Sequence, residues 1–144
     1  MKLKPMLYAV LAGLSVSSLA VADVTFDDLI GTWYAETQHD GETMKWLVKR
    51  EPDQSYAALF LVCDGENLSW VQKERGQWKM EGDEMHTVIA AFQDMNGGPS
   101  DQIGKQIHYE NLELADDELN YEQKGNDNTY SFNRVKDGYQ VSCQ

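Results

Sequence analysis

Two cysteines, three histidines and a set of aromatic side chains are the residues in this chain with the means to do chemistry or bind. Cys63 and Cys143 are an even pair, and in an exported protein such a pair reads as one disulfide. The bridge would close a loop of 80 residues, worth roughly 4.5 kcal/mol by chain entropy. A thiol nucleophile or a thiolate metal pair needs a partner motif that neither cysteine has nearby. His39 falls in a turn, while His86 and His108 fall near the starts of successive strands. Their spacing is not that of metal ligands. They are expected to be solvated or singly hydrogen-bonded, and the last two meet only if strand register allows. No metal ligand is assigned.

Catalytic signatures are missing. Ser69, Ser100 and Ser131 lack nucleophile-elbow glycines. Gly97-Gly98-Pro99 is followed by neither a lysine nor a helix, so it is no phosphate loop. The 24 acids offer many pairs and single out none. The expectation is a non-enzyme without a cofactor. The aromatics are more informative, because they fall on alternating positions. If Trp33 points inward, Met44, Trp46, Tyr56, Phe60 and Trp70 share its face, with Tyr109, Tyr121 and Phe132 joining from later segments. That set suits an apolar or aromatic ligand, and equally suits a plain packed core.

The elements that position these residues are short strands. Residues 1–22 read as a cleaved signal peptide, with Lys2 and Lys4, an apolar run, and Ala20-Val21-Ala22 at the cleavage point. The run is too short for a membrane anchor. Residues 23–144 form a single domain. The formal charge is −12, and −14 without the leader, which holds two basic residues and no acid. Such acidity should repel nucleic acid and anionic lipid headgroups, and serves either solubility or attraction of a cationic partner.

Residues 24–30 form one helical turn, capped by Thr25 or Asp23 and ended by Gly31. Beyond it the period is two. Asp40-Gly41, Asp64-Gly65, Gly82-Asp83 and Asp116-Asp117 mark turns between strand-like runs. Residues 56–62 are apolar on both faces, so that strand is covered on both sides or faces a partner. Residues 93–104, with three glycines and a proline, form the longest loop. Eight or nine strands without helical crossovers imply an all-β, antiparallel up-and-down barrel; a sandwich is the alternative. Gly31-Thr-Trp33 and Gly76-Gln-Trp78 hint at an internal echo.

A helical turn, then Gly31-x-Trp33 opening the first strand, then a meander with Arg134 in its last strand, resembles the lipocalin-like (calycin) barrels. The resemblance spans residues 24–143 and is nearest the compact bacterial type, since the long C-terminal helix of larger members is missing. It implies that Trp33 closes one barrel end under Arg134, that Gly31 serves the same structural end, and that a Cys63–Cys143 bridge ties the tail to a mid-barrel strand. With the leader and the inward aromatics, the first reading is an exported protein of this type, periplasmic or secreted, that binds a small hydrophobic or aromatic molecule. The other reading is an inhibitor or interaction module that engages a cationic protein through its acidic surface or the 93–104 loop. That loop would be a lid in the first case and the reactive surface in the second.

Overall fold

A computed structural model describes residues 22–144; the expected signal peptide lies outside the described residues but for its last position. α1 (Phe26–Leu29) is followed by β1 (Gly31–His39), β2 (Glu42–Arg50), β3 (Ser55–Asp64), β4 (Asn67–Glu81), β5 (Glu84–Asp94), β6 (Gln106–Ala115), β7 (Glu118–Gln123) and β8 (Thr129–Val135). Thr25 starts the helix, its backbone N–H and hydroxyl both donating to the Asp28 carboxylate at 2.8 Å. Gly31, at φ +129°, turns the chain into β1. The first hairpin closes through Asp40 and Gly41, both at positive φ, as a two-residue turn requires.

The eight strands close into one antiparallel barrel in sequence order, β1 meeting β8. The closure is uneven. β1 pairs with β8 only over Thr32–Tyr34 against Asn133–Val135. β5 pairs with β6 only over Met85–Val88 against Gln106–Tyr109. Beyond both short ladders the strands part toward the end where the 40–41 and 95–105 connections lie. The barrel therefore has a sealed end near α1 and a looser mouth opposite.

The sealed end is built around Trp33, fully buried, whose indole N–H donates to the Leu29 carbonyl at 3.0 Å. Arg134, opposite Trp33 in the ladder, lays its guanidinium 4.2 Å from the ring centroid, a contact worth about 0.5 to 2 kcal/mol. The same group donates to the carbonyls of Ile30 at 2.8 Å and Asp28 at 2.9 Å. Those carbonyls end α1 and have no helical donor of their own. A Cβ on Gly31 would come within 2.7 Å of Arg134 Nη1 and push the guanidinium off its carbonyls, while φ itself favours glycine there. Trp78 completes the plug. It is 1% exposed, stacks on Phe26 at 4.3 Å and donates its indole N–H to the Glu51 carbonyl. Leu29, Val48, Met85, Leu119 and Phe132 fill the space between.

The count is eight strands because β4 runs unbroken through Gly76. At that glycine the β4–β5 register shifts by a bulge, and a Cβ would stand 1.9 Å from the Val88 carbonyl oxygen and 2.9 Å from the Tyr56 ring. Glycine inside a strand commonly marks such a point of close approach, and here it does so without ending the strand. The Gly-x-Trp echo thus has a physical meaning: in both copies an inner side chain presses on the glycine while the tryptophan packs the sealed end.

The Cys63–Cys143 disulfide is formed. It holds a C-terminal segment that crosses the outside of three strands. The Thr32 hydroxyl donates to Asp137 at 2.6 Å, Tyr139 lies against Tyr34, and Lys45 Nζ donates to the Ser142 carbonyl. This accounts for the two-sided apolar pattern of β3, whose outward Leu61 and Cys63 are buried where the bridge forms.

Replacing Gly76 by alanine is expected to lower the urea unfolding free energy by about 3 kcal/mol, because a backbone oxygen cannot move aside. Gly82→Ala, at φ +62° with open space around it, should cost only about 1 kcal/mol of backbone strain.

Candidate functional site

Strand pairing carries the inward face around the barrel from Trp33. Trp46 lies opposite Ala35 and Phe60, Met44 opposite Thr37 and Val62, and Tyr56 opposite Arg50 and Gly76. Trp70 faces Val62, Tyr109 faces Gln123, Tyr121 faces Tyr130, and Phe132 faces Leu119. All eight aromatic and methionine candidates therefore point inward, but they divide by depth. Phe132, 1% exposed, belongs to the packed sealed half. Met44, Trp46, Phe60 and Trp70 are half-buried toward the mouth, while half-buried Tyr109 stands opposite Met85 of the sealed half. Tyr56 and Tyr121 sit between, buried, with hydroxyls in the interior.

The rings touch in a chain. Trp46 packs on Phe60 at 5.0 Å and meets Tyr130 edge-on at 6.4 Å. Tyr130 adjoins Tyr121 at 5.4 Å, and Tyr121 adjoins Tyr109 at 4.9 Å. Trp70 stands outside this chain, its indole N–H turned to Gln72.

Charge enters the interior through two residues that the aromatic pattern does not include. Arg50, 3% exposed, continues the inward alternation of Met44, Trp46 and Val48. Its Nη2 donates to the Tyr121 hydroxyl at 3.1 Å, and its Nη1 is buried without a hydrogen-bond partner. The buried Tyr56 hydroxyl has the Thr87 hydroxyl as its neighbour; Thr87 donates to the Ile107 carbonyl and keeps its lone pairs for the phenol. Buried donors left unpaired cost about 1 to 3 kcal/mol each. Glu74 continues the inward alternation of Trp70 and Gln72, and burial holds its carboxyl above the usual glutamate range. Burial likewise pushes Tyr56 and Tyr109 far above the usual phenol range, with Glu74 adding to the shift and Arg50 opposing it. These hydroxyls remain donors at any physiological pH. Parity was the available signal: counting by twos from Trp46 and Trp70 reaches Arg50 and Glu74.

Two concavities adjoin this cluster. One, of about 760 Å³, opens where β1 and β8 part, lined by inward Ala35, Thr37, Met44, Trp46, Tyr121 and Tyr130. Its rim is acidic, with Glu36, Glu113, Glu122 and Asp127. The other, of about 1140 Å³, is an open groove with outward Leu47, Leu59 and Lys73 in its lining, together with inward Ala58, Gln72, Glu74 and Phe92. Residues 96–102 border it. The long loop thus lies against this second groove, while the aromatic chain faces the first.

The histidines differ from expectation. Register sets His86 directly opposite His108 on the outer wall, ring centroids 3.7 Å apart and nearly parallel. His86 is not singly hydrogen-bonded: Glu81 lies 3.2 Å from Nδ1 and Glu84 3.0 Å from Nε2. Single-sequence spacing misses such a pair because its members are neighbours only across a ladder. His39 meets only its exposed neighbour Asp40.

Neither a protein-family model nor any curated protein matches this chain.

Glu74→Gln is expected to raise the unfolding free energy at neutral pH, since the native state there holds a desolvated carboxylate. A raised native pKa means that stability is lost as pH climbs from the unfolded-state value through the native one. The advantage of the glutamine should therefore shrink on acidification and vanish below the ordinary glutamate value of 4.5, as urea titrations at a series of pH values would read.

Proposed function

We propose that this protein is an exported lipocalin-like barrel that binds a small, largely aromatic or apolar molecule at its mouth. The observation that carries the reading is the concavity where β1 and β8 part, whose inner wall includes Tyr121, the tyrosine that buried Arg50 holds. A ligand oxygen reaching past Tyr121 would give Arg50 Nη1 the partner it lacks and remove its desolvation cost. Met44, Trp46, Tyr121 and Tyr130 supply apolar and ring surface for the rest of the molecule. Opposed charges on Arg50 and Glu74, and the acidic rim, favour a single acceptor oxygen over a multiply charged anion.

The closed Cys63–Cys143 bridge fits an oxidising compartment, and with the N-terminal leader supports export to the periplasm or beyond. No helix among the described residues is long and apolar enough to cross a membrane.

The second reading, an interaction module for a cationic protein, draws on the acidic balance of the chain and on Met95 and Ile103. These are 53% and 54% exposed on the 95–105 connection. In that case the loop beside the larger groove makes the contact.

Tryptophan fluorescence distinguishes the two. Aromatic ketones and carboxylic acids should quench Trp46, and Arg50→Met should weaken their binding about tenfold, the worth of one charged hydrogen bond. Silence across fatty acids, haem and aromatic metabolites, with salt-sensitive binding to a basic protein, would reverse the order of the two readings.

A further inference from the structure

The outer wall of β5 and β6 carries a cluster that the barrel interior does not explain. Glu84 and His86 alternate onto the outer face of β5, and His108 stands opposite His86 on β6. One carboxylate oxygen and one nitrogen from each ring lie within 4.8 Å of one another. All three side chains are half-buried, so they are already partly removed from water.

The contacts around His86 have a consequence for what occupies the space between them. A neutral imidazole has one N–H and one lone pair. With carboxylates against both ring nitrogens, one of the two contacts needs a cation in it, either a second proton or a metal ion. Glu81 is placed to take the Nδ1 proton, which leaves the Nε2 lone pair toward Glu84. Glu81 is in turn held by Lys79 at 3.0 Å. Glu84 uses Oε2 to receive Lys124 Nζ at 2.7 Å, leaving Oε1 toward His86. Metal-binding histidines and carboxylates have this kind of outer support: the far ring N–H on a carboxylate, and the ligating carboxylate itself hydrogen-bonded.

We propose that Glu84 Oε1, His86 Nε2 and His108 bind one divalent zinc ion on the outside of the barrel, with Glu81 and Lys124 as the groups that orient the ligands. The geometry is in range. Tetrahedral zinc with bonds of about 2.0 to 2.1 Å sets its ligand atoms roughly 3.3 Å apart, against 3.0 Å for the Glu84–His86 pair. His108 lies stacked on His86, so binding requires its ring to turn until one nitrogen faces the gap between Glu84 and His86. Two imidazoles and a carboxylate are a borderline nitrogen–oxygen donor set that suits zinc over calcium or magnesium. The fourth position is open to water or to a donor from another molecule. The site is independent of the barrel interior and stands whether or not a small molecule binds there.

Isothermal titration of zinc chloride into the chelator-treated exported protein tests the site. One zinc per chain at micromolar affinity is expected, with a zinc-dependent rise in Tm. His86→Ala and His108→Ala should each abolish both signals while keeping the far-ultraviolet circular dichroism of the wild type. Glu84→Gln serves the same purpose if a histidine variant does not fold. Glu81→Gln should weaken binding roughly tenfold through the lost orienting contact, and His39→Ala should change nothing. Cobalt(II) in place of zinc should give the intense visible bands of a tetrahedral ion, lost in the same variants. Absence of zinc uptake, non-saturating uptake at many acidic sites, or stoichiometric uptake that survives the His86→Ala/His108→Ala double variant would overturn the proposal.

Discussion

One guanidinium holds the sealed end of this barrel together. Arg134 covers Trp33, takes the two carbonyls that end α1, and rests in the space that Gly31 leaves by having no side chain. It does so at the place where first and last strands share only three paired residues. A ladder that short contributes little by itself, so the barrel's closure leans on side-chain contacts among β1, β8 and α1. Trp78 and Phe26 extend the same plug to the far side. The helical turn is therefore part of the closure, because its carbonyls and its phenylalanine are both used there.

Sealing one end by packing has a consequence for the other. The large side chains with almost no exposure, Trp33, Trp78, Phe132, Leu29, Met85 and Leu119, all fall in the sealed half. Toward the mouth the strands part and the inward aromatics remain half-buried. Between the two regions lies the group of Arg50, Tyr56, Glu74 and the tyrosines of β6 to β8. An apolar core of ordinary composition would not keep a guanidinium nitrogen without a partner, since that costs stability. That cost, located where the packed half gives way to the open half, is the physical basis for proposing a ligand there.

The outside of the barrel is equally uneven. The C-terminal segment and its disulfide cover β1 to β3, turning an apolar outer face into a second small core. On β5 and β6 the outer face instead gathers two histidines and flanking acids that have no role in closure. The two walls also differ in pairing, and the 95–105 connection falls where β5 outruns β6. Features that look unrelated along the chain thus follow from which strands are long, which ladders are short, and what covers each face.

The amino-acid order by itself determined the class of the fold. Period-two alternation, Asp-Gly turns with their tolerance of positive φ, and one capped helical turn specify antiparallel strands in sequence order, because these are local properties of the backbone. Within each strand it determined which residues share a face, as Met44 does with Trp46 and Tyr56 with Phe60, while which face turns inward waited on register. Gly76 was ambiguous, a glycine within a strand being readable as an end or as a close contact; only the Val88 carbonyl beside it decides. The depth of each inward residue, the separation of Phe132 from the mouth, the unpaired state of Arg50 and the meeting of His86 with His108 were decided by tertiary structure. Each depends on which residues stand opposite one another across ladders, and that register is set by bulges and by packing between distant strands.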